Sequence, residues 1–328
     1  MSQALAISID DVIDASRVLS GAAALTPLLE FEALNAAAGR RVLVKFEGAQ
    51  HTGSFKFRGA YNRLARIGGA AKTAGVVAWS SGNHAQGVAA AAKRLGMPAL
   101  IVMPADAPAI KLANTRALGA EVKLYDRFTE SRIDIATAIA EQRGATIVPS
   151  YDDPFVIAGQ GTIGLEVPAQ AQAAGVNIGQ VLSPCGGGGL IAGIATAIKA
   201  KAPQVQVFSV EPLAFDDTAR SLAAGERQVV PAGAKSICDA LMAPTPGELT
   251  FPINQALLSG GLAVDDAAVE AAMRFAFKSM KLVVEPGGAV ALAAVLSGLA
   301  PPSDGVSVVV LSGSNVDASL YATILGKA

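Results

Sequence analysis

An α/β fold built on mostly parallel strands is predicted by two features of this sequence. Short β-branched runs alternate with helical patterns along the chain, and glycine or proline punctuates most of the joins. The expected strands are 41–47, 75–79, 99–103, 121–125, 146–148, 180–183, 204–210 and 306–311. The intervening amphipathic or alanine-rich stretches predict helices over 55–66, 84–95, 128–142, 190–201 and 267–281.

At 328 residues the chain exceeds the usual ~100–200 residues of one domain, yet it shows no repeat of fixed period and no low-complexity linker. A second domain must therefore be woven into the first. We expect a large domain from residues 1–74 and 153–328, with a small lobe, residues 75–152, inserted into it.

Composition excludes several classes of partner. Lys and Arg total 26 against 27 Asp and Glu, and no basic block is present that could neutralise a nucleic-acid backbone. The most apolar helical run, 289–300, is shorter than the ~20 residues a bilayer requires. No basic start followed by an apolar core marks an export signal. Cys185 and Cys238 fit no metal-ligand spacing and read as buried thiols of a reducing, cytoplasmic compartment.

In open parallel sheets, ligands bind where strands end and helices begin. The run of Gly186, Gly187, Gly188 and Gly189, between an expected strand and a helix opening at Leu190, has the make-up of a phosphate cradle. Glycine lets backbone approach the ligand, and the helix N-terminus offers unpaired N–H groups to an anion. The loop lacks the Lys-Ser/Thr ending of a nucleotide P-loop. Gly187, Gly189 and Ala192, with Glu211 ending the next strand, also satisfy a dinucleotide fingerprint, so an NAD-dependent dehydrogenase is the competing reading of this loop.

Three further segments bear on that choice. Lys56 follows Ser54 and Phe55 at the start of a helix. Ser80, Ser81, Gly82, Asn83 and His84 open another helix, with hydroxyls and first-turn N–H groups suited to a substrate carboxylate. Ser312 begins the terminal Ser312-Gly313-Ser314-Asn315-Val316-Asp317 segment.

Taken in order with the four-glycine loop, these segments resemble the fold-type II pyridoxal-phosphate enzymes, and most nearly the threonine/serine dehydratase and serine racemase family. The resemblance spans nearly the whole chain and implies a tryptophan-synthase-β-like fold of two open, twisted, mostly parallel sheets flanked by helices. It implies that Lys56 holds pyridoxal phosphate as a Schiff base with Phe55 against the ring, and that Asn83 bonds the ring hydroxyl. Gly186 to Gly189 and Leu190 would hold the phosphate, and Ser312 would meet the pyridine nitrogen. A serine hydroxyl there donates a hydrogen bond without forcing protonation, which weakens the ring as an electron sink and favours prompt loss of a β-leaving group.

The expected activity is that of an ammonia-lyase, a dehydratase converting a small β-hydroxy amino acid such as L-threonine or L-serine to a 2-oxo acid and ammonia. Serine racemisation is a further expectation, because Ser81 can serve as a second proton carrier. Glu211, the Phe215 carbonyl and Asp217 resemble the family's divalent-cation site, where oxygen ligands suit Mg²⁺ or Ca²⁺. Glu285 matches a motif near the cofactor ring. Asp239 lies in Ile237-Cys238-Asp239-Ala240-Leu241, where relatives commonly show Ile-Ala-Asp-Gly. The bulkier neighbours leave 3-hydroxyaspartate and other β-hydroxy amino acids open as substrates. Assembly as a homodimer is inherited from the resemblance.

Overall fold

The computed structural model describes residues 5–80, 82–107 and 109–327. Two sheets organise them. The larger runs in the order β1-β2-β10-β7-β8-β9, where β1 is Leu28–Glu30, β2 Val42–Phe46, β7 Ile178–Pro184, β8 Gln206–Pro212, β9 Gly260–Val264 and β10 Val306–Leu311. All its neighbours are parallel except β1 with β2. The smaller sheet runs β5-β4-β3-β6 and is wholly parallel, with β3 Val76–Trp79, β4 Ala99–Pro104, β5 Glu121–Tyr125 and β6 Thr146–Ile147.

The eight expected strands are all present, within a few residues at each end. The two not anticipated, β1 and β9, are edge strands. β1 is three residues long, and β9 opens on two glycines, so neither carries a β-branched run. The helix expected over 128–142 starts later, at Arg132, because Ser131 caps it by accepting from the Asp134 N–H. The helix expected over 267–281 is regular over Asp266–Phe275 and finishes in a π turn, Ala276–Met280, ended by Lys281 in the left-handed region.

Strand β10 inserts between β2 and β7, and Val308, Val309, Val310 and Leu311 are fully buried there. This insertion places Ser312, at the end of β10, beside the glycine loop at the end of β7.

The helix Pro154–Ala173 was not anticipated because its apolar and polar residues form no amphipathic stripe and it carries Pro168. It is capped by Asp153, which also pairs with Arg63 of the helix Lys56–Leu64 at 2.9 Å. Its glycines let it approach two other helices backbone to backbone. A Cβ on Gly159 would come within 2.7 Å of the Gly59 Cα, and a Cβ on Gly193 within 2.3 Å of the Ile157 carbonyl. One helix thus sets the spacing between the helix that begins at Lys56 and the helix Gly189–Lys201 that follows the glycine loop.

A buried charge cluster fixes the same region. Arg58 donates to Glu47 from Nε at 2.8 Å and from Nη2 at 2.9 Å, and it also binds Glu166 of the long helix. Lys45 completes a balanced set of two cations and two anions, donating to Glu166 at 2.6 Å and to the Thr26 carbonyl at 2.7 Å. Removing one partner of such a set strands a buried charge. Arg58→Ala is therefore expected to cost about 3–5 kcal/mol of stability in denaturant unfolding. A loss below about 1 kcal/mol, the range of an exposed pair, would show that the cluster is not structural.

Candidate active site

The carboxyl ends of β7, β10, β3 and β6 converge on a cleft of 460 Å³, whose lining includes Lys56, Ser80, Asn83, His84, Glu285 and Ser312. Phe55 N–H donates to the Ser312 carbonyl at 3.1 Å, and Ser54 bridges Gly313. The turn ahead of Lys56 is thereby fastened to the end of β10.

On the cleft floor, Lys56 Nζ donates to the Ser150 carbonyl at 2.7 Å and lies 5.1 Å from the Phe55 ring centre. Desolvation pushes its pKa down to about 8, opposed in part by Glu285. A minority of this amine is then neutral near physiological pH, where an ordinary lysine has almost none, and the neutral form is what a nucleophile or base requires.

The glycine loop follows β7. Gly188 takes φ +94°, which side chains rarely adopt, and a Cβ on Gly187 or Gly189 would strike Tyr151 at 2.4 or 2.8 Å. Thr250 Oγ1 donates to the Gly187 carbonyl at 2.6 Å, and the Gly247 N–H donates to it at 3.2 Å. Asp152 accepts from the Glu248 and Leu249 N–H groups at 2.9 Å each, which ties the backing segment to the end of β6. The first amides of the helix Gly189–Lys201, including that of Leu190, have no intrahelical partner. This rigid cradle suits a phosphate.

On the opposite wall, Gly82 N–H donates to Ser80 Oγ at 3.1 Å and the helix Asn83–Leu95 begins. Ser81 lies outside the described residues. His84 is buried, with Nε2 2.9 Å from the Val148 carbonyl. Burial first, and the Lys56 charge second, push its pKa down to about 3. The ring is neutral, and because a carbonyl only accepts, Nε2 carries the proton and Nδ1 is the free acceptor.

Asn83 Nδ2 donates to Glu285 Oε1 at 2.6 Å. Glu285 is pushed up to about 7 by burial, with Asp239 adding to the effect. Asp239 is half-exposed and pairs with Lys111 of the smaller sheet's flanking helix at 2.8 Å, spanning the cleft mouth.

Glu211, Phe215 and Asp217 gather at the end of β8, away from the cleft lining. Glu211 accepts from the Thr218 N–H at 2.9 Å and the Ala219 N–H at 2.8 Å, so it caps the helix Asp217–Ala224. Burial raises Glu211 to about 8, with Asp217 as second cause, and burial raises Asp217 to about 7. Asp217 Oδ2 is buried without a partner. Among the described residues no group of three or more His, Cys, Asp or Glu side chains is placed to hold a metal. Any cation here would depend on the two carboxylates and main-chain oxygen.

Sequence reasoning did not single out Tyr151, Lys111 or Asn315 individually. Tyr151 carries only the weak signal of following a short strand, and the position of Lys111 at the cleft depends on how the two sheets face each other.

A model of the pyridoxal-phosphate dependent enzyme family matches residues 19–313. The chain belongs to that family. It is 45% identical to an L-threo-3-hydroxyaspartate ammonia-lyase of Pseudomonas sp, over 97% of this chain and 98% of that protein. It is 38% identical to a serine racemase of Schizosaccharomyces pombe, over 97% of each. The crystal structure of a threonine deaminase from T.th. superposes with a TM-score of 0.89 at 45% identity, covering 95% of this chain and 99% of that one.

The family settles the competing readings of the glycine loop, and the geometry agrees. Glu211, which a dinucleotide reading would place on a ribose, lies outside the lining of the cleft that the glycine loop borders. The residues present fit pyridoxal phosphate: an amine of lowered pKa for its aldehyde, a glycine cradle for its phosphate, and Asn83 and Ser312 for its ring.

The lowered pKa of Lys56 has a measurable consequence. Protein stripped of cofactor should recombine with pyridoxal phosphate faster as pH rises, half-maximally near pH 8, because the neutral amine is the reactive form. Stopped-flow absorbance reads this rate directly. A midpoint in the ordinary lysine range, near about 10.4, would contradict the desolvated amine.

Proposed function

We propose that this enzyme is an ammonia-lyase that removes water from a small β-hydroxy amino acid and releases the 2-oxo acid and ammonia. The observation that carries the reading is the placement of Lys56. Its amine, of lowered pKa, lies on the floor of a cleft whose other walls are a phosphate cradle and a carboxylate-binding turn.

When bound, pyridoxal phosphate supplies an electron sink for charge developing at the substrate α-carbon. Lys56 would anchor the cofactor, and its neutral amine would take the substrate α-proton as general base. Gly186 to Gly189 and Leu190 would hold the phosphate, Phe55 would pack against the ring, and Asn83 and Ser312 would bind its polar atoms. The Ser80 to His84 turn receives the substrate carboxylate on the N–H groups that open its helix. His84, neutral and fixed through Nε2, adds no charge there, and Glu285 orients Asn83. Residues 75–152 form the lobe that closes over substrate and excludes water, with Asp239 and Lys111 at the closing edge.

Among substrates, L-serine and L-threonine fit the resemblance. L-threo-3-hydroxyaspartate is a second candidate, favoured by the cationic Lys111 and Arg132 in the cleft lining and by the 45% identical relative. Serine racemisation with Ser81 as second proton carrier is supported by the serine racemase among the relatives. The buried thiols of Cys185 and Cys238 suit a reducing cytoplasm, and a homodimer follows the resemblance alone. No described helix is long and apolar enough to cross a membrane.

We also place a hard divalent cation, Mg²⁺ or Ca²⁺, on Glu211, Asp217 and the Phe215 carbonyl. The buried, unpartnered Asp217 Oδ2 supports this assignment.

The 2-oxo acid assay across L-serine, L-threonine and L-threo-3-hydroxyaspartate should give turnover with at least one substrate. Lys56→Ala should lose turnover by at least about 10³-fold together with the visible cofactor band. Retained turnover in that variant would sink the mechanism. In the same assay, Ser81→Ala should abolish D-serine formation while oxo acid formation persists, and unchanged racemisation would remove Ser81 from that role. Chelation should lower Tm by at least about 3 °C and Mg²⁺ or Ca²⁺ should restore it. Unchanged Tm and activity would leave Glu211 and Asp217 as a helix start only.

A further inference from the structure

The Thr52 carbonyl, Asn315, Asn83 and Glu285 form one chain of hydrogen bonds across the cleft. Asn315 Nδ2 donates to the Thr52 carbonyl at 2.7 Å and to Asn83 Oδ1 at 2.7 Å, and Asn83 Nδ2 donates to Glu285 Oε1 at 2.6 Å. The direction of this chain follows from its first member. A main-chain carbonyl can only accept, so the Asn315 amide must turn its NH₂ toward Thr52. The second Asn315 hydrogen then meets Asn83, and the atom receiving it must be the Asn83 oxygen. Turning the Asn83 amide over would set two NH₂ groups against each other and its oxygen against Glu285. One hydrogen of the Asn83 NH₂ goes to Glu285, which leaves the other for the cleft.

The first member is itself held in place. Thr52 adopts φ +61°, ψ +16°, a conformation uncommon for any side chain and rarer for a β-branched one. Gly53 N–H donates to the Gln50 carbonyl at 2.9 Å, and Ser314 N–H donates to the Gly53 carbonyl at 2.9 Å. The strained turn ahead of Lys56 and the turn bearing Asn315 are thus pinned together, and a Cβ on Gly53 would come within 2.9 Å of Asn315 Oδ1.

We propose that Asn315 is a positioning residue that fixes the orientation of the Asn83 amide, so that Asn83 offers the cofactor a hydrogen-bond donor and not an oxygen. The inference rests on the placement of Asn83 against the cofactor given above, and it assigns Asn315 no contact with substrate.

Cofactor affinity tests it without turnover. Trp79 is the sole tryptophan and lines the cleft, so its quenching in cofactor-free protein titrated with pyridoxal phosphate reads the dissociation constant. Asn315→Asp keeps the shape but replaces the donor with an acceptor, which opposes the Thr52 carbonyl and draws the Asn83 NH₂ toward itself. Asn315→Ala only removes the constraint. The proposal expects N315D to raise the dissociation constant by about tenfold or more, and N315A by less.

A residue that merely fills space would give the opposite order, with the cavity-forming alanine worse than the isosteric aspartate. That order, or no change in either variant, overturns the proposal. Should N315D fail to fold, N315A decides alone: weakening of about threefold or more with unchanged melting of the cofactor-free protein supports the assignment, and unchanged affinity overturns it. Asn83→Ala separates the two readings. If it leaves affinity unchanged, Asn83 does not face the cofactor and the parent placement fails. If it weakens binding while both Asn315 variants do not, only the role of Asn315 fails.

Discussion

The chemistry proposed for this protein depends on holding one lysine amine in a poorly solvated place at a fixed point. Desolvation lowers the pKa of Lys56, and it would equally favour any movement of the side chain toward water. The opposing constraint is the anchoring of the helix Lys56–Leu64. Arg58, two residues on, is tied to Glu47 at the end of β2 and to Glu166 on the long helix, and Arg63 is tied to Asp153 at that helix's start. Ionic contacts of this kind add little net stability compared with apolar packing, but they accept only one arrangement, because any other leaves a buried charge alone.

The same long helix sets the geometry of the second half of the site. Glycines at both crossings let its backbone touch the lysine helix and the cradle helix, so the distance from Lys56 to the glycine loop is fixed by main chain and not by adaptable side chains. The cradle is stiffened from behind by Tyr151, Asp152 and Thr250. A phosphate seated there would find its amides already oriented, which lowers the ordering cost of binding.

The site also crosses the two sheets. Ser80 to His84 come from the smaller sheet's first strand and helix, whereas Lys56, Ser312, Glu285 and the glycine loop belong to elements around the larger one. Asn83 to Glu285 and Lys111 to Asp239 are polar contacts between the two sets. Movement of one set relative to the other would make or break these contacts, which connects the opening of the cleft to the orientation of groups that line it.

The sequence by itself determined the alternation of strands and helices, the glycine cradle and the family, because β-branched runs, consecutive glycines and ordered motifs are local signals. It left β1, β9 and the helix Pro154–Ala173 unseen, since two short edge strands and a helix without an amphipathic stripe lack a readable period. It named Glu285 and Asn83 without showing that they touch, and gave no signal for the position of Lys111 or for the orientation that Thr52 imposes through Asn315. Only the tertiary structure decided these, because they are contacts between segments as much as 263 residues apart. Contacts at such separation are set by how the sheets and helices pack, and their geometry, unlike a helix or a turn, has no counterpart in the order of neighbouring residues.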